Sequence, residues 1–173
     1  MIHRVTVVAA CALMFGCAPA MPALDDLIGF SDPQACEPDE AFAALLQGMI
    51  VFDEAGETYV PVLREPPVQS TFKDQVGVPD LSFDGHEYRA TLPLRGTWHG
   101  LPLRSIVVVG WIESEQGFEL LFKADPELVL TTANRVGFGI PSSGSEYRDD
   151  DVLGLNVGVE KRDGGAALFC IPG

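Results

Sequence analysis

From His86 onward the chain alternates in a pattern that directs it into an antiparallel sheet. In HEYRATLPLRGTW (86–98), Tyr88, Ala90, Leu92 and Leu94 fall on one side of a strand, because successive strand residues point to opposite faces. HG (His99–Gly100) reads as a turn, and LPLRSIVVVGWIE (101–113) is a β-branched run suited to a pleated surface. SEQG (114–117) turns the chain again, and FELLFKA (118–124) sets Phe118, Leu120 and Phe122 on one side. Strands joined by turns this short pair with their sequence neighbours, which predicts a three-stranded meander. Further on, VLGLNVGVE (152–160) alternates Leu153, Leu155, Val157 and Val159, and AALFCIP (166–172) returns across KRDGG (161–165) with its Asp-Gly turn signal.

Two segments carry helical rather than strand periodicity. EPDEAFAALLQGMIVF (37–52) repeats Phe42, Leu45, Leu46 and Met49 at helical spacing, with Pro38, Asp39 and Glu40 suited to a helix N-terminus. DPELVLTTANRVG (125–137) has Asp125 to cap, Pro126 at the first position, Arg135 in the last turn and Gly137 to stop it. Between them, VFDEAGETYVPVL (51–63) suggests two short strands around EAGE. Residues 64–85, rich in Pro and Gly, read as a long loop holding at most one short element. The expected fold class is α+β: a mainly antiparallel sheet, meander plus C-terminal hairpin, with two helices packed on one face.

The N-terminus reads as a targeting segment. Arg4 precedes the uncharged apolar run VTVVAACALMFG (5–16), which is too short for a bilayer core of about 20 residues and fits a signal peptide. Two cleavage sites compete. LMFGC (13–17) resembles the lipobox of bacterial lipoproteins, and that resemblance implies cutting before Cys17 and lipidation of Cys17. APA (18–20) offers ordinary cleavage after Ala20. Residues 1–20 are therefore a signal, 21–35 a tether whose Leu24, Leu27, Ile28 and Phe30 can dock, and 36–173 a single domain. Export leaves two cysteines in the domain, Cys36 and Cys170, and an even pair in an exported chain reads as a disulfide.

Charge narrows the partners. Removing the signal removes only Arg4 from the charged residues, leaving ten Lys and Arg against 25 Asp and Glu, a net −15. Such a chain lacks the basic face that nucleic acid requires, and the expected membrane contact is through a lipid anchor only. A basic protein partner is favoured by long-range attraction. No catalytic constellation stands out: there is no nucleophile elbow, no phosphate cradle and no zinc-ligand spacing, so neither a metal nor another cofactor is expected. His99 reads as a turn residue and His86 as the solvated start of a strand. Asp149, Asp150 and Asp151 read as an exposed acidic run.

One loop points to an activity. SGSEY (143–147) matches the S-G-x-x-Y motif and so resembles the bacterial periplasmic inhibitors of lysozyme. That resemblance implies that Ser143 and Tyr147 contact the catalytic groups of a lysozyme while Gly144 permits the tight turn. A Tyr on a rigid loop gives contact area at low entropic cost, and an acidic protein is drawn to a basic one. The expectation is a non-catalytic envelope protein that binds, with a structural or assembly role for the sheet as the alternative.

Overall fold

A computed structural model of the chain describes residues 20–53, 60–111, 116–149 and 154–173. In chain order the elements are β1 (Phe30–Asp32), β2 (Glu37–Pro38), α1 (Glu40–Met49), β3 (Ile50–Asp53), β4 (Val60–Leu63), β5 (Asp80–Asp84), β6 (Glu87–Trp98), β7 (Leu101–Trp111) and β8 (Gln116–Phe122). Then follow α2 (Pro126–Val136), β9 (Ser145–Asp149), β10 (Gly154–Arg162) and β11 (Gly165–Pro172), and a 3-10 turn lies at Ser70–Gln75.

Seven strands form one sheet in the order β5-β6-β7-β8-β11-β10-β9, with every neighbouring pair antiparallel. The expected meander is β6-β7-β8, and the expected hairpin is β10-β11. The last strand joins the two, since β11 pairs with β8 from Ala166↔Phe122 to Cys170↔Phe118. Two smaller hairpins, β1-β2 and β3-β4, stand apart from this sheet. Among the described residues no helix is long and apolar enough to cross a membrane.

The register divides the sheet residues by parity. Tyr88, Ala90, Leu92, Ile106, Val108, Phe118, Leu120, Val157, Leu168 and Cys170 belong to one buried cluster, joined by Phe42, Leu45 and Met49 of α1 and by Val129 and Ala133 of α2. Aromatic rings fill its middle: Phe30 stands edge-on to Phe42 and to Phe138, and Phe42 edge-on to Phe118. Such pairs add about 0.5–1.5 kcal/mol each beyond their buried area. Trp98 is buried against them, and its indole N–H donates to the Ile28 carbonyl at 3.0 Å.

Local chemistry sets the ends of the helices. Asp39 caps α1 by accepting the Phe42 N–H at 2.9 Å, so the helix begins at Glu40 rather than at Glu37 or Pro38. Glu37 and Pro38 pair instead with β1, and Ile50–Asp53 leaves the helix as β3. In α2 Pro126 holds the first turn, but the Asp125 side chain makes no capping bond. Gly137, at φ 120°, ends α2 by donating its N–H to the carbonyls of Ala133 and Asn134.

Three segments differ from the sequence expectation. Residues 21–35, read as a tether, are built into the domain: Leu24, Leu27 and Ile28 are buried, and Ala23 bridges Thr97. Leu24, Leu27 and Ile28 fall at i, i+3 and i+4, and the Ile28 carbonyl accepts the Trp98 indole N–H. The 64–85 loop holds two elements, the 3-10 turn and edge strand β5, because Asp80–Asp84 finds a partner in Glu87–Thr91. The C-terminal half of the Ser143–Tyr147 motif is strand β9. The EAGE turn, Ser114 and Glu115 of the SEQG turn, Leu153 and the acids Asp150 and Asp151 lie outside the described residues.

Candidate functional site

Cys36 and Cys170 are joined by a disulfide with their Cα atoms 6.1 Å apart, closing a separation of 134 residues. The bond ties the turn before α1 to β11, which lies inside the sheet. The segment carrying the candidate binding residues is built onto this stapled region. Gly144 takes φ 96°, a left-handed conformation that permits the turn, and its N–H donates to the Pro141 carbonyl at 2.9 Å. Its carbonyl then accepts the Val159 N–H at 2.7 Å, which starts the pairing of β9 with β10.

Arg148 holds this edge strand in place. Its guanidinium donates to the Phe138 carbonyl at 2.6 Å and to the Gln34 carbonyl, while Glu146 accepts from Nε at 2.6 Å. One side chain thus links β9 to the residues after α2 and to the turn that carries Cys36. Tyr147 points the opposite way, 58% exposed, with its ring lying across Gly154 and Gly173. A β-carbon on Gly154 would come within 1.7 Å of the Tyr147 hydroxyl, so that glycine sets where the ring rests. Ser143 is exposed and donates its hydroxyl to the Ser145 carbonyl at 3.2 Å. Ser143, Gly144 and Tyr147 therefore share one edge of the sheet, with the turn at one end of β9 and the ring along it.

A second cluster was not visible in the sequence. Glu119 lies in the middle of β8, on the face of the sheet opposite the main core, and is only 1% exposed. Its two carboxylate oxygens accept from Arg89 at 2.7 Å and Arg162 at 2.9 Å. Each arginine also pairs with an acid on its own strand, Glu87 and Glu160 respectively. Burial works to lower the Arg89 pKa, but hydrogen bonds and charge from Glu119 and Glu87 outweigh it and raise the pKa overall. The sequence shows only an acid inside an apolar alternation. Its partners lie 30 and 43 residues away, so nothing local announces them. Val107, Val109 and Ala167 are buried on this same face, and Trp111, 36% exposed, stands at its end.

Tyr88 is a different case. Its ring lies against Gly110, its hydroxyl is buried without a hydrogen-bond partner within range, and burial pushes its pKa up to about 12, with the nearby Gln116 side chain opposing the shift. Beside the disulfide is a cavity of about 290 Å³ lined by Cys36, Leu46, Gln116, Phe118, Leu155 and Pro172, among others. His86 sits in the turn between β5 and β6. His99 lies in the β6–β7 turn at φ 45°, with its ring 3.8 Å from Asp25. Cys17, the candidate lipidation site, lies outside the described residues. Comparison with family models, with curated proteins and with solved structures finds no match in any of the three.

Proposed function

We propose that this chain is an exported protein of the bacterial envelope that acts by binding, with Ser143, Gly144 and Tyr147 as its contact residues and a basic, lysozyme-like protein as its partner. The observation that carries this reading is the presentation of the motif. Tyr147 is exposed on a strand whose other face is fixed by three contacts from Arg148, so little side-chain or backbone freedom is lost on binding. The Ser143 hydroxyl needs only to rotate from a 3.2 Å bond with a backbone carbonyl to donate to a carboxylate in a glycosidase cleft. The net charge supports encounter with a basic partner. The apolar run before Cys17 and the Cys36–Cys170 bond support export, and the lipobox resemblance supports anchoring through Cys17.

Titration calorimetry of the mature domain into c-, g- and i-type lysozymes tests the binding claim. Binding to at least one type is expected, with loss of most of the heat in Ser143→Ala/Tyr147→Ala. A double variant that binds as tightly as the wild type refutes the assigned residues.

A second reading is favoured by the sheet itself. In it both helices cover one face and the other is left to dock an envelope partner. What supports it is that residues of one parity share a core with α1 and α2, whereas Val107, Val109 and Ala167 lie outside that cluster, near Trp111. It predicts that Trp111→Ala, rather than the Ser143 and Tyr147 changes, abolishes capture of that partner.

A further inference from the structure

The chain is clamped onto the sheet almost as soon as Cys17 is passed. The Pro22 carbonyl accepts the Thr97 N–H at 2.8 Å, the Leu24 N–H donates to the Thr97 carbonyl at 2.8 Å, and the Asp25 carboxylate accepts the His99 N–H at 2.5 Å. Leu24 is fully buried. Thr97 and His99 mark the end of the sheet where β6 turns into β7. Because the strands are antiparallel, β8 finishes and β10 turns into β11 at this same end. The Lys123 N–H bonds the Pro102 carbonyl at 2.9 Å, and an Arg104 guanidinium N–H bonds the Asp163 carbonyl at 2.8 Å.

Reach then limits orientation. Five residue steps separate Cys17 from Pro22, and fully extended they span about 17 Å. Strand β6 has 12 residues between the far end and this one, a length of about 36 Å at strand rise. A molecule held in a bilayer at Cys17 cannot present its far end to the lipid. Charge distinguishes upright from sideways. At the near end, Arg95, Arg104, Lys123, Lys161 and Arg162 face Asp25, Asp26, Asp125, Glu127, Glu160 and Asp163, five cations to six acids. The remainder holds five cations against 19 acids, a net −14 of the −15. An anionic surface repels that remainder and tolerates the nearly neutral end.

We infer that the end of the sheet formed by the β6–β7 and β10–β11 turns is a membrane-facing surface, resting on phospholipid headgroups with the far end and Tyr147 directed outward. The inference rests on the proposed anchoring through Cys17. It goes beyond that proposal by fixing which surface meets the lipid.

The chain contains three lysines, all exposed: Lys123 and Lys161 at the near end, and Lys73 in the 3-10 turn. The test couples the mature chain through the Cys17 thiol to a maleimide phospholipid in phosphatidylethanolamine–phosphatidylglycerol vesicles. A membrane-impermeant amine reagent is then applied, and each lysine is read by mass spectrometry against uncoupled protein. Lys123 and Lys161 are expected to be labelled several-fold more slowly on vesicles and to be slowed more than Lys73, whose turn precedes the Val76–Leu94 bridge part-way along β6. Moving the anchoring thiol to a cysteine added after Gly173, with Cys17→Ser, is expected to remove that protection. Equal labelling of all three lysines on Cys17-anchored vesicles overturns the inference but leaves the lipoprotein reading intact. A native N-terminus at Met21, free of lipid, overturns both.

Discussion

The Glu119 cluster yields the sharpest stability prediction, because removing the acid and removing its partners have opposite electrostatic consequences. The carboxylate is 1% exposed, whereas the Arg89 and Arg162 side chains are 32% and 37% exposed and each keeps a second acid. Replacing Glu119 by Met fills a similar volume, removes the one fully buried charge among the described residues, and frees both arginines to solvate or to pair with Glu87 and Glu160. Replacing a buried ionic group by an apolar one of similar size is often neutral or stabilising, so Glu119→Met is expected to change stability by no more than about 1 kcal/mol. The double change Arg89→Ala/Arg162→Ala leaves the carboxylate buried without a partner, at an expected cost of about 3–5 kcal/mol. With a urea slope of about 2 kcal/mol/M, that moves the unfolding midpoint down by about 2 M.

The sign with pH follows. An unpaired buried carboxylate binds its proton more tightly in the folded state than in the unfolded state. The double arginine variant should therefore recover stability as pH falls from 7 toward 5, a recovery absent once Glu119→Met is added. Urea melts of the four proteins at both pH values decide the matter. Should Glu119→Met prove more damaging than the paired arginine change, the network is a net stabiliser and this reasoning is wrong.

Three further outcomes are expected. Cys36→Ala/Cys170→Ala opens a loop of 134 residues and should lose up to about 5 kcal/mol in the chain-entropy model, read as a midpoint shift between oxidised wild type and variant; a loss below 1 kcal/mol would contradict it. Tyr88, whose folded pKa is raised to about 12, contributes stability that is present below the ordinary tyrosine value of about 10 and is lost as pH rises from 10 toward 12. Tyr88→Phe should abolish that alkaline loss and, since the hydroxyl is buried without a partner, stabilise the protein at pH 7 by up to about 1 kcal/mol in thermal melts. Gly154→Ala should displace the Tyr147 ring and weaken partner binding, while far-UV circular dichroism stays that of the wild type.

Much of the sheet was legible because its inner strands alternate cleanly against a buried face. The meander and the C-terminal hairpin follow from positions such as Tyr88, Leu92, Leu120 and Val157, whose burial matches their parity. The edge strands were not legible. Asp80–Asp84 and Ser145–Asp149 are mostly polar, and a strand that pairs on one side only has little apolar pattern to show. The first helix was read too long because Ile50, Val51 and Phe52 continue an apolar run that suits helix or strand equally. Residues 21–35 read as a tether from their Pro- and Ala-containing start, with Leu24, Leu27, Ile28 and Phe30 able to dock, but the depth of that docking was not legible. What seats them is Trp98, about 70 residues away, through its bond to the Ile28 carbonyl. Within the candidate site, the Ser143–Tyr147 motif could be read directly. Arg148, which holds it through carbonyls as distant as Gln34, could not.

The most direct test of binding through this edge is inhibition itself: clearing of a bacterial cell-wall suspension by each lysozyme type, with and without equimolar mature domain, at low and at moderate salt. Inhibition of at least one type is expected, weakening as salt shortens the screening length to about 8–10 Å and disappearing in Ser143→Ala/Tyr147→Ala. Undiminished clearing by all three types with micromolar wild-type domain would contradict it.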